Sequence, residues 1–343
     1  MAVTLRDVAE HAGVSVRTVS NVVNDFHHVS DEMRARVQTS LDELNYRPNL
    51  LARSLRQGRT GIITVLLPQI TAPYFAELAH EIVERASELG STVLIDETGG
   101  VPERELELLD TASGSRWVDG VLLSSIGLDA RSLARLDPRV PVVLLGERTA
   151  SATHDHVGID NVAAARDAVL HLLDTGRRTV AAVGGTNAHS DVTSRLRLRG
   201  YRNALRAAGL PAGAAVHART PDYSRGSGAA GVRELFARGQ RPDALLCLSD
   251  DLAAGALRQL HDQGLRVPDD VAVVGFDDVD ASRFAVPSLS SVAPDKTELA
   301  RTALEMLLER IAGLQVAPRD VRVPHRLVQR ESSRRDGVTI RGF

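Results

Sequence analysis

Apolar side chains recur at helical spacing from the start of the chain: Leu5, Val8, Ala9 and Ala12, then, beyond Gly13, Val19, Val22 and Val23. The pattern predicts two short helices joined by a tight turn. Thr4 is placed to cap the first, with Asp7 three positions on as an approximate capping box, and Ser15 to cap the second. Gly13 falls where helices favour a left-handed closing residue. On the second helix Val16, Arg17, Thr18, Ser20, Asn21 and Asn24 are left facing outward. A third helix is expected over about 31–44, capped by Ser30, with Val37, Leu41 and Leu44 as its apolar stripe. Pro48 then suits the opening of a further helix of about two turns, marginal alone in water. Its Leu50, Leu51 and Leu55 demand a partner, because a linker between domains is ordinarily polar.

From Gly61 the period changes. Short apolar runs at 62–67, 92–95, 120–123, 142–145, 179–183, 214–217, 244–248 and 271–275 alternate with segments of helical patterning. That alternation predicts βαβ units and parallel sheets. So many strands exceed one small domain, so two stacked α/β subdomains are expected. Ligands of such sheets sit at the carboxyl ends of the strands, which places a site in the cleft between the subdomains.

The outward face of the second helix has the chemistry to read DNA in the major groove. Arg binds guanine through two hydrogen bonds, Asn binds adenine, and an apolar side chain meets a thymine methyl group. Ser, Thr and Asn near helix ends suit phosphate oxygens. The plainer alternative is an amphipathic helix pair with a solvated face. The net charge of −3 is unusual for a DNA binder, and residues 1–60 hold eight Arg against seven Asp and Glu. Electrostatic attraction must therefore come from placement, with Arg47, Arg53, Arg56 and Arg59 forming a basic stretch. Lys296 is the only lysine, and Cys247, inside an apolar run, the only cysteine. A lone thiol excludes an internal disulfide and suits the cytoplasm.

No apolar run long enough to span a membrane, no signal-peptide core and no zinc-ligand spacing is found, so neither a membrane nor a metal is expected. Gly226, Gly228 and Gly231 form a G-x-G-x-x-G string, but residues 221–225 separate it from the strand before, so it reads as a loop feeding a helix. No phosphate-binding loop, nucleophile elbow or zinc-protease motif is present, so no catalytic residue and no cofactor is expected.

With these residues in place, the chain resembles the lactose-repressor (LacI/GalR) family of transcription regulators. The strings that carry the resemblance are TLRDVAEHAGVSVRTVSNVVN, HVSDEMRARV and ELNYRPNLLARSLR in the first sixty residues, in family order and spacing. Further on they are PYFAELAHEI, VDGVLLSS, PVVLLGER, SRLRLRGY, RPDALLCLSDDLAAGALRQL, GLRVPDDVAVVGFDD and LSSV. The resemblance implies an all-α helix-turn-helix headpiece (1–46), a hinge helix and linker (47–59), and a periplasmic-binding-protein-like α/β core of two Rossmann-like subdomains (60–343). The first subdomain would comprise about 60–160 and 291–320, the second about 161–290 and 321–343, with crossings near Asp160, Ser290 and Asp320.

Carried over residue by residue, the resemblance makes Val16, Arg17 and Asn21 base readers. Thr4, Ser15, Thr18, Ser20, Asn24, His28, Ser30, Tyr46 and Asn49 become backbone contacts, and Leu55 a minor-groove wedge. His28 reads equally as an ordinary surface histidine. The effector pocket falls on Tyr74, Phe75, Asp191, Thr193, Arg197, Tyr223, Asp250 and Asp277. Asp250 could instead be a helix cap; Asp160 reads as a cap and Asp251 as structural; Arg197 could pair with a surface carboxylate. Position 146, often acidic in relatives, is Gly here beside Glu147, which leaves ligand identity open.

The expected protein is a homodimeric, cytoplasmic, nucleoid-associated regulator, most often a repressor in this family. It would bind a near-palindromic double-stranded DNA operator under control of a small-molecule effector, a sugar or sugar derivative first and a nucleoside second. No leucine heptad follows residues 327–333, so no tail-mediated tetramer is expected. A solute-binding receptor without a DNA role is the rival reading, opposed by the headpiece and the missing export signal.

Overall fold

The computed structural model describes residues 3–23, 26, 28–46, 59–115, 117–126, 128, 130–134, 140–146, 153–186, 191–211 and 214–334. The chain divides into two units, residues 1–60 and 61–343.

Among the described residues the first unit holds three helices: α1 (Leu5–Ala12), α2 (Val16–Val23) and α3 (Asp31–Glu43). The Thr4 backbone N–H donates to the Asp7 carboxylate at 2.7 Å and the Asp7 N–H returns to the Thr4 hydroxyl at 3.4 Å, closing a capping box. Gly13 ends α1 at φ 64°, where a side chain is strained. The Ser15 hydroxyl accepts from Thr18 N–H at 3.0 Å and that of Ser30 from Met33 N–H at 3.4 Å, so α2 and α3 also start on side-chain caps. Val8, Ala9, Ala12, Val19, Val22, Val37 and Leu41 make one buried cluster, with Leu44 and Tyr46 packed against it. Burying each valine or leucine contributes about 1.5–3 kcal/mol, so few residues suffice to hold so small a unit.

The second unit holds two six-stranded sheets. In the first the order is β11 (Asp320–Arg322), β5 (Asp155–Gly158), β4 (Val142–Leu145), β3 (Gly120–Leu123), β1 (Ile62–Leu67), β2 (Thr92–Glu97). In the second it is β12 (His325–Val328), β10 (Ser290–Pro294), β9 (Ala272–Phe276), β8 (Ala244–Cys247), β6 (Val180–Val183), β7 (Val216–Ala218). The pairs are parallel except β10 with β12. In the first sheet Val65 lies beside both Ile95 and Leu122. β3, β4, β8 and β9 are buried along their whole length, as strands covered by helices on both faces must be. The covering helices include α4 (Pro73–Glu88), α5 (Pro102–Gly114), α7 (Asn161–Asp174), α8 (Val192–Ala207), α9 (Arg225–Ala237), α10 (Asp250–Asp262) and α12 (Lys296–Ile311); α6 (Ala130–Leu133) and α11 (Asp280–Arg283) are single turns.

The chain passes between the sheets three times. The first passage is at Asp160, whose carboxylate caps α7 by accepting from Val162 and Ala163 N–H at 3.0 and 2.9 Å. The other two lie later than the sequence implied. Ser290 opens β10, which pairs with β9 from Ser290 to Val292 and with β12 from Ser291 to Pro294, so the chain leaves the second sheet at Asp295 rather than near Ser290. Asp320 opens β11, which pairs with β5, so the last return falls at Val323 and Pro324. Hydrogen bonding to the neighbouring strand, invisible in the local pattern, sets both points. Four strands escaped the apolar pattern altogether: β5, β10, β11 and β12.

The glycine-rich string lies in the first half of α9, behind a Ser224 cap, and β7 ends well before it at Ala218. Its role is close packing of two helices. A Cβ on Gly228 would meet the Leu252 carbonyl of α10 at 2.1 Å, and one on Gly255 the Arg225 carbonyl at 1.8 Å. Cys247 is buried in β8, and burial pushes its thiol pKa up. Among the described residues no helix is long and apolar enough to cross a membrane, and no cluster of His, Cys, Asp and Glu could hold a metal ion.

Candidate functional site

Two places concentrate unexplained polar chemistry, one in each unit. In the first unit the turn at Gly13 and the buried valines of α2 leave Val16 and Arg17 exposed and Asn21 half-buried. None of the three side chains has a hydrogen bond or ion pair among the described residues. The three helices of this unit open on polar caps, Thr4, Ser15 and Ser30, and helix N-termini attract anions. The Ser15 and Thr18 hydroxyls lie 2.8 Å apart, and Ser20 has a partner of its own. Tyr46 is half-buried against the helical core, whereas His28 is exposed and edge-on to Phe26 at 5.6 Å. Asn24, Asn49 and Leu55 lie outside the described residues, as do Arg47, Arg53, Arg56 and Glu147.

In the second unit a cavity of about 950 Å³ opens between the two sheets. Tyr74, Phe75, Asp191, Thr193, Arg197, Tyr223, Asp250 and Asp277 all line it. Tyr74 and Phe75 form the first turn of α4, with Pro73 as its opening residue, and their rings meet edge-to-face at 5.2 Å. Asp191 caps α8 by accepting from Ser194 N–H at 3.0 Å, takes Thr186 N–H at 2.9 Å, and receives the Tyr223 hydroxyl at 3.2 Å. Arg197 is buried rather than paired at the surface. Its Nε donates to Asn161 at 2.7 Å, Nη1 to the Leu248 carbonyl, Nη2 lies 3.6 Å from Asp277, and the guanidinium sits 3.5 Å from the Phe276 ring centre.

Asp277 and Asp278 stand at φ 109° and 46°, conformations that side chains disfavour. The Asp277 N–H donates to the Val292 carbonyl at 2.8 Å, and the Lys296 ammonium bonds both aspartate carbonyls, at 2.7 and 3.1 Å. That ammonium also meets Glu77 of α4 at 2.7 Å, and the other Glu77 oxygen accepts from Asp280 N–H at 2.8 Å. The lone lysine therefore ties a helix of the first sheet to the loop that follows β9.

Asp250 is not the cap of α10; Ser249 is. The Asp250 carboxylate accepts from Val279 N–H at 2.9 Å, Ser282 at 2.7 Å and Ser291 at 2.6 Å, and burial raises its pKa to about 6 against these bonds. Asp251 pairs with Arg225 at 2.8 Å at the edge of the cleft.

Sequence reasoning missed Gln69, Ser124, Ser125 and Asp222, all on the cavity wall, and Glu105, which holds that wall in place. Fully buried, the Glu105 carboxylate accepts from Ser125 at 2.6 Å, Ile126 N–H at 3.0 Å and Leu128 N–H at 3.2 Å. One signal was present: Glu105 occupies the first position of the stripe Glu105, Leu108, Leu109, Ala112 on an otherwise amphipathic helix.

Residues 4–49 match the sequence profile of the bacterial regulatory proteins of the lacI family, and residues 169–333 that of periplasmic binding protein-like domains. The ribose operon repressor of Escherichia coli (strain K12) is 32% identical over 334 residues, which cover 96% of this chain and 99% of that protein. Among solved structures, the lac repressor dimer bound to operator and the anti-inducer ONPF superimposes with a TM-score of 0.86 at 29% identity, covering 97% of this chain and 99% of the other. The transcriptional regulator CelR–cellobiose complex gives a TM-score of 0.71 at 32% identity, over 96% of this chain and 99% of the other.

Proposed function

Since this chain belongs to the lacI family of bacterial regulatory proteins, we propose that its three-helix unit reads one half-site of a near-palindromic operator as part of a homodimer, and that the cleft of its second unit binds a sugar or sugar derivative that controls that grip. Members of the family are transcription regulators, not enzymes. The chain is accordingly a DNA-binding regulator with a small-molecule effector.

The observation that carries the DNA reading is the trio Val16, Arg17 and Asn21 on α2, whose side chains have no partner among the described residues. Arg17 is assigned to guanine, Asn21 to adenine and Val16 to a thymine methyl. Thr4, Ser15, Thr18, Ser20, Asn24, His28, Ser30, Tyr46 and Asn49 are assigned to the phosphate backbone, and Leu55 to a minor-groove wedge that bends the duplex. The capped N-termini at Thr4, Ser15 and Ser30 support the phosphate assignments, because a helix start adds partial positive charge to free N–H groups.

In the cleft, Tyr74 and Phe75 offer apolar rings to a sugar face, while Asp191, Tyr223, Thr193, Arg197 and Asp277 offer donors and acceptors for hydroxyl groups. The cavity has room for one or two sugar rings. The names of relatives point the same way, toward ribose and cellobiose. Effector and operator are coupled through one free energy, so each changes the affinity of the other by the same factor.

A mobility-shift titration of the full-length protein on its own promoter fragment, with and without a panel of sugars and nucleosides, tests the reading. Retardation by a palindromic fragment, altered by one panel member, is expected. Sugar binding with no DNA shift at low salt would favour a solute receptor instead.

A further inference from the structure

We infer that the effector carries no net negative charge, so that phosphate esters and carboxylic acids are refused and neutral polyols accepted. This deepens, and rests on, the reading of the cleft as the effector site.

The inference comes from charge placement on the wall formed by the second sheet and its helices. Its described residues include Asp191, Asp222, Asp250, Asp251 and Asp277 against Arg197 and Arg225. Both cations are committed. Arg197 lies against Asp277, Asn161 and the Leu248 carbonyl, and Arg225 is paired with Asp251. Asp250 is turned into the fold, onto Val279, Ser282 and Ser291. Asp191 and Asp222 have no cationic partner among the described residues. Hydrogen bonds from Ser224 and Ser227 keep the Asp222 carboxyl below its usual pKa, so it is ionised at neutral pH. An incoming anion would meet these two carboxylates in a partly desolvated cleft, where like charges repel more strongly than in water.

The helix ends give a second, independent reason. Three helices, α8, α9 and α10, open onto this cavity, and a free helix start is a ready anion site. All three are already answered from within the chain. The Asp191 carboxylate caps α8, Ser224 caps α9 with Asp222 two residues earlier, and Asp250 and Asp251 fill the first turn of α10. On the opposite wall α4 opens without a side-chain cap, but Pro73 at its first position removes a donor, and the neighbouring Gln69, Thr71, Ser124 and Ser125 bring no charge. The described lining of the cavity therefore presents hydrogen-bonding oxygens, apolar rings and net negative charge, a combination that favours hydroxyl-rich neutral ligands.

The test uses matched probe pairs on the full-length protein, by thermal shift followed by calorimetric titration: ribose and ribose 5-phosphate, glucose and glucose 6-phosphate, cellobiose and its phosphate ester, cytidine and cytidine 5′-monophosphate. In any pair that binds, the neutral member should bind at least about tenfold more tightly than its phosphate. The double variant Asp191→Asn, Asp222→Asn should narrow that ratio several-fold, since Asn preserves the cap while removing the charge. If the double variant fails to fold, the wild-type ratio alone decides. A phosphate member that binds as well as or better than its parent overturns the charge inference and leaves the effector reading standing. Failure of every neutral and anionic probe overturns the effector reading itself.

Discussion

Replacing Asp155 should loosen the first sheet where its last strand, β11, begins beside β5. The carboxylate, only 2% exposed, sits on β5. It accepts from Arg310 Nε and Nη2 at 2.9 Å each, from Arg319 Nη2 at 2.8 Å and from the Arg319 backbone N–H at 2.8 Å. One side chain thus joins β5 to the end of α12 and to the residue before β11. Removing one partner of a buried ion pair costs about 3–5 kcal/mol. Here Arg310 and Arg319 are 18% and 31% exposed and regain some water, and Arg319 keeps Glu309, so the lower end applies, about 3 kcal/mol.

For a unit of this size a loss of that order lowers the melting temperature by roughly 5 °C. The pH dependence supplies a second check. Burial alone would raise the Asp155 pKa, but the bonds from Arg310 and Arg319 outweigh it and hold the carboxyl well below its ordinary 3.8. A carboxyl lowered by folding contributes stability in full above its unfolded pKa and loses it as the pH falls below that value. Calorimetry of wild type and Asp155→Ala should therefore show a constant gap from pH 7 to about 5 that shrinks below about 4. A gap under about 1 °C at pH 7, or one that ignores acidification, would refute this account of the junction.

Arg17→Ala should cost about 1–3 kcal/mol at a single operator position, read by binding to a randomised half-site library; uniform weakening across sequences would reassign Arg17 to phosphate. Asp277→Ala strips Arg197 of its carboxylate and should abolish the effector response in a promoter-binding assay while leaving operator affinity within about twofold; an unaltered response would remove Asp277 from the ligand chemistry. Glu77→Ala releases Lys296 and Asp280 N–H together and should shift the midpoint of effector titration, since it cuts a direct tie between the two halves of the cleft; an unmoved midpoint means the tie does not couple them. Asp250 runs opposite to Asp155: folding raises its pKa to about 6, so stability should fall as pH rises from about 4 to about 6 and then level off, and Asp250→Asn should flatten that slope in melting curves.

The difference between what could and could not be read in advance follows from how far each interaction reaches along the chain. The helical unit was legible because each helix start and the end of α1 carry a local marker, Thr4, Ser15, Ser30 and Gly13, bonded within a few residues. The cleft residues were legible one step less directly. Parallel topology forces the segments after each strand to one edge, and Asp191, Tyr223, Asp250 and Asp277 all follow strands. β5 and β10 were illegible because their polar residues look wrong for buried strands. Asp155 and His156 find partners at Arg310, Arg319 and Asp320, more than 150 positions away. Ser290 and Ser291 bond Ser333 and Asp250. The same misfit exposes Glu105, set in an apolar stripe, and Asp250, whose place behind a strand foretold a cleft but not the three donors that turn its carboxylate into the fold. A polar residue at an apolar register position is thus a pointer to a distant partner, since burying it alone would cost several kcal/mol. Around the cleft Glu105 and Asp250 are such residues, and their partners Ser125, Ser282 and Ser291, 20 to 41 positions away, fix where its wall runs.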